Sequence, residues 1–411
     1  MIKNLIMSSL NATISSINFL QDHLSANIHE SYDSMKIHHE LKEERMTSEE
    51  LILNRGYPME IHYVETEDGY ILKLYRIPAA KSEKNYKNKQ KDAVLVVHGI
   101  FDSSDGWLCN TEDKCIPFTL ANLGYDVWLA NSRGNKHSRY HKKYSSEEKE
   151  FWNFSFHEMG LYDLPPIIDH IKKINQFNEK IIYIGHSQGT AQLFSALTLN
   201  LDYFKKNIKL FVALGPVASV HNMSSKLLIT MEKMKIDLLF EKLSFNEVLS
   251  TDEKIKRASS WLLPKLPVLT SLLMNLISDD DCKEYNNLEM MPVYLTHNPG
   301  GSSLKAINHF VQCMRCKKFR TYDYGRETNL EIYNSEEPPE YDLKKIYDFP
   351  IALFSGKGDK LATPKDVAWL KEQLGSNVII HNEINLGHSS FMMAKDMSWF
   401  NDVIELIELY K

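Results

Sequence analysis

Cysteine is scarce in this chain. Its 411 residues include five cysteines, too few for a disulfide framework to replace a hydrophobic core. Cys109 and Cys115 are close enough in sequence to pair, whereas Cys313 and Cys316 form a single CxxC. A zinc site needs about four ligands, so a lone CxxC does not predict one. Free thiols and one local disulfide both remain open, and we expect no metal and no cofactor.

The chain also lacks a strong excess of charge of one sign. Its formal net charge is −6, and phosphate recognition needs a concentrated basic face, so we expect no nucleic-acid partner. Long apolar runs are lacking too. The most apolar stretch, Trp261–Ile277, is interrupted by Pro264, Lys265 and Pro267. It is shorter than the roughly 20 residues of a membrane span, so no transmembrane segment is predicted.

Residues 1–50 are interpreted as a polar lead-in to the folded part of the chain. Lys3 precedes an uncharged run over residues 4–21, with no clear small-residue cleavage site after it. A secretory signal segment fits this run. An amphipathic helix fits it equally, because apolar residues recur there at every third or fourth position.

Alternating strand and helix patterns follow. Two runs, Met59–Thr66 and Tyr70–Ile77, are joined at Asp68-Gly69 and predict a β-hairpin. Short, continuous apolar runs then predict strands that are buried on both faces: Ala93–His98, Tyr125–Ala130, Lys180–Gly185, Ile208–Leu214 and Ile351–Ser355. Val378–Ile384 is predicted as the last strand. This pattern indicates an α/β fold with a mostly parallel central sheet and helices on both faces.

The alternation stops in one interval, residues 220–326. Leu- and Met-rich helical patterns take over there, between the fourth and the fifth buried strand. We interpret the interval as an inserted helical cap, or lid, over one end of the sheet. The core would then comprise residues 51–219 and 327–411.

The sharpest motif is Gly185-His186-Ser187-Gln188-Gly189. It follows an apolar strand and opens a helix, which is the context of a nucleophile elbow. The turn is so tight that bulk two residues either side of the serine would clash, and the following helix points its N-terminus at the site. The motif predicts Ser187 as a catalytic nucleophile, whereas the alternative is a tight structural turn.

A serine nucleophile needs a base, and the base needs an orienting acid. In this kind of fold both lie at the ends of later strands, the acid first. Asp359 follows the strand Ile351–Ser355, and His388 follows the strand Val378–Ile384. We therefore predict Asp359 as the acid and His388 as the base. Competing residues are Asp348 before its strand, Asp366 within a helix, His381 within a strand, and His186, whose side chain should point away.

Stabilising the tetrahedral intermediate requires two backbone N–H donors. One is predicted at Gln188, directly after the nucleophile, and the other at Ile100, in the loop that follows the first buried strand. His98 should fix that loop rather than transfer protons. Phe101 and Trp107 come next and are predicted to line the substrate slot, although both also fit as core aromatics.

With these residues in place the chain resembles the acid lipase family, which includes gastric and lysosomal acid lipases and their sterol-esterase relatives. The resemblance covers the chain from about Gly56 to its end. The segments that carry it include Gly56-Tyr57-Pro58, Thr66-Glu67-Asp68-Gly69-Tyr70, His98-Gly99, Asn131-Ser132-Arg133-Gly134-Asn135, Gly185-His186-Ser187-Gln188-Gly189-Thr190 and His297-Asn298-Pro299-Gly300-Gly301.

The resemblance implies an α/β-hydrolase fold and a serine lipase acting on long-chain esters, triacylglycerols or steryl esters, at a lipid–water interface. It also implies a secreted or lysosomal location. One departure stands out, because the family usually has an Asp two residues after the catalytic His, and Ser390 occupies that position here. The alternatives are an esterase of small soluble esters and an inactive binding protein; the Leu- and Met-rich cap disfavours the first, and the intact triad disfavours the second.

Overall fold

The computed structural model describes residues 41–86, 89–176, 179–235, 246–249, 274, 278–279 and 282–411. The run considered as a signal segment lies outside these ranges. So do the two most apolar stretches of the predicted cap, residues 236–245 and 261–277, except for Met274.

The eight predicted strands are present, and their bounds differ from the predicted ones by at most one residue; the described residues also form three two-residue strands that the sequence does not predict. In chain order they are β1 (Glu60–Glu65), β2 (Tyr70–Ile77), β3 (Ala93–Val97), β4 (Asp126–Leu129), β5 (Tyr140–His141), β6 (Ile181–His186), β7 (Ile208–Leu214), β8 (Glu247–Val248), β9 (Ser302–Ser303), β10 (Ile351–Gly356) and β11 (Val378–Ile384). The main sheet has the order β1-β2-β4-β3-β6-β7-β10-β11, with β5 paired to β2. From β4 to β11 all neighbours are parallel, whereas the β1–β2 hairpin and β5 are antiparallel. The predicted mostly parallel sheet is confirmed.

Helices cover both faces of this sheet, as predicted. They are α1 (Ser48–Asn54), α2 (Ile116–Asn122), α3 (Phe156–Glu158), α4 (Leu164–Asn175), α5 (Gln188–Leu199), α6 (Leu201–Asn207), α7 (Lys226–Lys233), α8 (Cys282–Tyr285), α9 (Met291–His297), α10 (Leu304–Cys316), α11 (Arg326–Tyr333), α12 (Pro364–Leu374), α13 (Ser390–Met393) and α14 (Phe400–Leu409). Along β3, Leu95 and Val97 face a core formed with α4, α5 and α12. Val94 and Val96 face a second core, formed with α2 and α14.

The folded part of the chain begins before the end of the lead-in expected over residues 1–50. Helix α1 starts at Ser48, and Leu51 and Ile52 within it are fully buried. Thr47 caps the helix: its side chain accepts a hydrogen bond from the Glu50 N–H, and the Glu50 carboxylate accepts one from the Thr47 N–H. This reciprocal capping box holds the start of α1 in place.

Between β7 and β10 the chain leaves the main sheet. It forms α7 to α11 and the small β8–β9 pair before it returns. Over the described residues, no helix combines the length and hydrophobicity needed to cross a membrane. The open question about cysteine is resolved for four thiols, since Cys109, Cys115, Cys313 and Cys316 are all free.

Candidate active site

The turn between β6 and α5 holds Ser187 in a strained backbone conformation. Its φ is +53° and its ψ is −119°, a region that side-chain-bearing residues rarely adopt. Both flanking glycines are required by close contacts. A β-carbon at Gly189 would lie 2.5 Å from the carbonyl oxygen of Val97, and one at Gly185 would lie 2.9 Å from the ring of Tyr183. The turn therefore presents the Ser187 hydroxyl at the carboxyl end of the sheet.

Three predicted residues meet there, and we call Ser187, His388 and Asp359 the triad. The Ser187 Oγ lies 2.7 Å from the Nε2 of His388, and the Nδ1 of His388 lies 2.7 Å from the Oδ2 of Asp359. The three residues are 8%, 5% and 3% exposed. In a neutral imidazole with the proton on Nδ1, the ring donates to Asp359 and accepts from Ser187. This arrangement can remove the proton of the serine hydroxyl.

Asp359 is held by backbone donors as well as by the base. Its Oδ1 accepts hydrogen bonds from the N–H groups of Leu361 and Ala362, both at 2.8 Å, which leaves Oδ2 for His388. Burial disfavours the imidazolium form of His388, but the charge and the hydrogen bond of Asp359 outweigh it and raise the pKa of His388. The acid thus stabilises the proton that the base would take up.

The competing acid and one competing base lie elsewhere. Asp366 is bound at the start of α12, where it accepts from the Ser219 hydroxyl at 2.7 Å and the Asn222 N–H at 2.9 Å. His381 lies in β11, with its Nε2 3.0 Å from the hydroxyl of Ser355. Neither reaches Ser187.

His186 requires a correction. The expectation that its side chain points away from the site is wrong, because its Nε2 lies 2.9 Å from the backbone carbonyl oxygen of His388. The two imidazole ring centres are 4.9 Å apart. The residue before the nucleophile therefore contacts the backbone of the base.

The loop after β3 lies against the nucleophile. A β-carbon at Gly99 would be 3.2 Å from the Cβ of Ser187, so this position needs glycine. His98 fixes the loop: its Nδ1 lies 2.8 Å from the Gly99 carbonyl oxygen, and its Nε2 accepts from the Ser132 N–H at 3.1 Å. Burial lowers the pKa of His98 to about 4, so it stays neutral at ordinary pH. The predicted donor Ile100 follows directly on this loop, and the predicted donor Gln188 is the first residue of α5, whose N–H has no intrahelical acceptor.

A buried cation anchors the segment that holds His98. The Arg133 guanidinium is 1% exposed and forms hydrogen bonds to Asp163 at 2.7 Å and to Asp68 at 2.5 and 2.9 Å. Burial opposes ionisation of Asp68, but the Arg133 side chain outweighs it and lowers the pKa of that carboxyl. This network fixes the backbone next to Ser132.

The two predicted slot residues differ in their surroundings. Phe101 is half-buried, and its carbonyl oxygen accepts a hydrogen bond from the Gly300 N–H at 2.7 Å. Trp107 is 2% exposed and belongs to the core on the α2 side of the sheet. Its indole Nε1 is buried without a hydrogen-bond partner among the described residues.

One acidic residue next to the triad has no counterpart in the sequence predictions. Asp279, from the segment between α7 and α8, accepts hydrogen bonds from the N–H of Ser389 at 3.0 Å and from the Ser389 hydroxyl.

Over the part of the chain that is described, no group of three or more His, Cys, Asp and Glu side chains is placed so that it could hold a metal ion.

Comparison with known proteins places these residues in context. Residues 92–394 match the α/β hydrolase fold family, and residues 48–111 match a partial α/β-hydrolase lipase region. Gastric triacylglycerol lipase of Bos taurus is 38% identical over 89% of this chain and 92% of its own. Lysosomal acid lipase/cholesteryl ester hydrolase of Homo sapiens is 36% identical over 90% of this chain and 92% of its own.

Among solved structures, a soluble variant of monoglyceride lipase from Saccharomyces cerevisiae superposes with a TM-score of 0.51. It is 15% identical and covers 86% of this chain and 94% of its own; at this identity the likeness concerns the fold alone. Fold and family as predicted from the sequence are both confirmed, and the chain belongs to the acid lipase family of the α/β hydrolases.

Proposed function

We propose that this chain is a lipase that hydrolyses esters of long-chain fatty acids, triacylglycerols or steryl esters, through a covalent acyl-enzyme. The observation that carries the proposal is the unbroken hydrogen-bonded series from Asp359 through His388 to Ser187, with 2.7 Å at each step. Its relatives support the substrate class, since one is named a triacylglycerol lipase and another a cholesteryl ester hydrolase.

Acylation begins when the Ser187 oxygen attacks the ester carbonyl carbon while its proton passes to the Nε2 of His388. The carbonyl oxygen becomes an oxyanion, which the N–H groups of Gln188 and Ile100 would stabilise. Asp359 stabilises the imidazolium. The intermediate then collapses: the C–O bond to the alcohol breaks, His388 donates its proton to the departing alkoxide, and the acyl group remains on Ser187.

Deacylation repeats these steps with water. His388 removes a proton from water as the water oxygen attacks the acyl carbonyl. The second tetrahedral intermediate uses the same two N–H donors. Its collapse breaks the bond to the Ser187 oxygen, which regains a proton from His388, and the fatty acid leaves.

The acyl chain needs an apolar slot. We assign its roof to the cap, residues 220–326, and its wall beside the carbonyl to Phe101 and Trp107. A Leu- and Met-rich cap suits a substrate presented at a lipid–water interface. The gastric and lysosomal names of the relatives support a secreted or lysosomal location.

The test is a hydrolysis assay with acyl chains of increasing length on glycerol, sterol and small soluble alcohols, at pH 5 and pH 8. We expect turnover to favour long chains and to rise when the substrate forms an interface. Turnover confined to short, soluble esters would identify a general esterase instead. The ratio of glycerol to sterol ester turnover then assigns the alcohol.

A further inference from the structure

We propose that Asp279 is a positioning residue for the ester hydrolysis proposed above, and that through it the cap segment holds the loops of the base and the acid together. The inference rests on the proposed function, since it concerns how His388 is held while it acts as a base.

The first contact is with the loop of the base. Both carboxylate oxygens of Asp279 accept hydrogen bonds from Ser389, one from the backbone N–H at 3.0 Å and the other from the hydroxyl. On the other side of His388, a β-carbon at Gly387 would lie 2.4 Å from the Oδ1 of Asp279. The carboxylate therefore lies against the backbone on both sides of the base.

The second contact is with the loop of the acid. Asp279 forms an isolated antiparallel bridge with Asp359. The Lys360 N–H also donates to the carbonyl oxygen of Ser278 at 3.0 Å. Ser278 and Asp279 of the insertion thus contact the loops of both the acid and the base.

Asp279 also affects the charge around the base. Asp279 is fully buried, and no lysine or arginine of the described chain forms an ion pair with it. Among the described residues, the titratable groups that interact with its charge include His388, Asp359 and Tyr294. Burial raises the pKa of Asp279, which the hydrogen bonds from Ser389 and the nearby His388 oppose. In turn, the Asp279 carboxylate adds to Asp359 in raising the pKa of His388.

The sequence position two residues after the base is consistent with this role. The family usually has an Asp at this position, and this chain has Ser390. The Ser390 hydroxyl accepts a hydrogen bond from the Gly387 N–H at 3.0 Å. The carboxylate near this loop comes instead from the insertion, about a hundred residues earlier in the chain.

The test uses the full chain, a short soluble ester and the variants Asp279→Asn and Ser389→Ala. Asp366→Asn is the matched control, because it also removes a buried carboxylate but lies away from the triad. We expect Asp279→Asn to lower kcat by about 10- to 100-fold, as loss of an outer-shell partner does at metal sites, with little change in KM. The rise of kcat/KM with pH should move to lower pH, because without the Asp279 charge the pKa of His388 falls.

Ser389→Ala keeps the charge, so it should lower kcat without moving the pH profile as far. If Asp279→Asn does not fold, Ser389→Ala still tests the contact between Asp279 and the loop of the base. Asp366→Asn should lower the melting temperature and leave the pH profile in place. A wild-type chain that hydrolyses no ester would overturn the proposed function. An active wild type whose Asp279→Asn variant keeps its kcat and pH profile, or loses activity only in proportion to folded protein, overturns the role of Asp279 alone.

Discussion

His186 and His388 are joined by a hydrogen bond, in which the Nε2–H of His186 donates to the backbone carbonyl oxygen of His388 at 2.9 Å. Burial lowers the pKa of His186 well below its usual range, so the ring stays neutral and keeps a fixed tautomer. The residue before the nucleophile therefore holds the backbone of the base from one side. Asp279 accepts hydrogen bonds from the next residue of the same loop, Ser389.

His186→Phe should lower kcat by roughly five- to tenfold, because a hydrogen bond worth about 1 kcal/mol is lost from the loop of the base. KM should change little, since the hydrogen bond of the ring is to the backbone of the base. His381→Phe, in β11, is the control and should retain kcat. Steady-state kinetics on a soluble ester decide the matter; equal kcat values for both variants would exclude the positioning role of His186.

Asp359→Asn should reduce kcat by roughly 10⁴-fold, because the amide favours the imidazole tautomer that cannot accept the serine proton. Asp366→Asn should keep activity close to wild type while lowering the melting temperature. Its carboxylate accepts hydrogen bonds from the hydroxyl of Thr363, which caps α12, from the hydroxyl of Ser219 and from the Asn222 N–H. If Asp366→Asn were the more damaging change to kcat, the acid would be misassigned.

The triad could be predicted from sequence because each member follows a recognisable strand and the order of the strand ends fixes where the members meet. The glycines around Ser187 likewise follow from how tight the turn is. These inferences need only local patterns and the general rule for parallel sheets.

Two features of the site could not be read from local patterns. The contact between Asp279 and Ser389 joins residues 110 positions apart. The sequence around Asp279 has no periodic pattern that would predict where its side chain points. The orientation of His186 depends on the path of the loop that carries His388. The start of α1, in contrast, was readable, since Thr47 and Glu50 have the spacing of a capping box.

Glu158 should make the stability depend on pH only under strongly acidic conditions. Burial opposes its ionisation, but the charge of Lys305, with its Nζ 2.8 Å away, dominates and lowers the pKa of Glu158 from 4.5 to about 2. A lowered pKa in the folded state means that the stabilisation is complete above about pH 4.5 and is lost as the pH falls toward 2. It amounts to about 3 kcal/mol.

Thermal melts from pH 7 to pH 2 test this. The melting temperature of the wild type should stay constant down to about pH 4.5 and fall below that pH. Glu158→Gln should have a lower melting temperature at neutral pH, and that temperature should fall less steeply in acid. Parallel curves of melting temperature against pH for the two proteins would mean that Glu158 does not contribute this pH-dependent stabilisation.

Trp107→Ala separates a slot wall from a core residue. If Trp107 contacts the acyl chain, turnover of long-chain esters should fall more than turnover of acetate esters, since each buried methylene is worth roughly 0.8 kcal/mol. Its position in the core on the α2 side also predicts that the free energy of unfolding falls by the roughly 3–5 kcal/mol typical of such truncations, and with it the melting temperature. Equal losses on both substrates would remove Trp107 from the slot and leave it a core residue.

The central claim is that Ser187 is the nucleophile of an ester hydrolase, and Ser187→Ala tests it most directly. The variant removes one hydroxyl from a turn whose backbone is held by the Leu214 carbonyl and by Gly185 and Gly189, so the fold should persist. The measurement is ester hydrolysis by wild type and variant at equal folded concentration, with fluorophosphonate labelling of both. We predict that wild type hydrolyses the ester and is labelled, and that Ser187→Ala does neither. A variant that retains turnover within tenfold of wild type, or that is still labelled, would contradict the account.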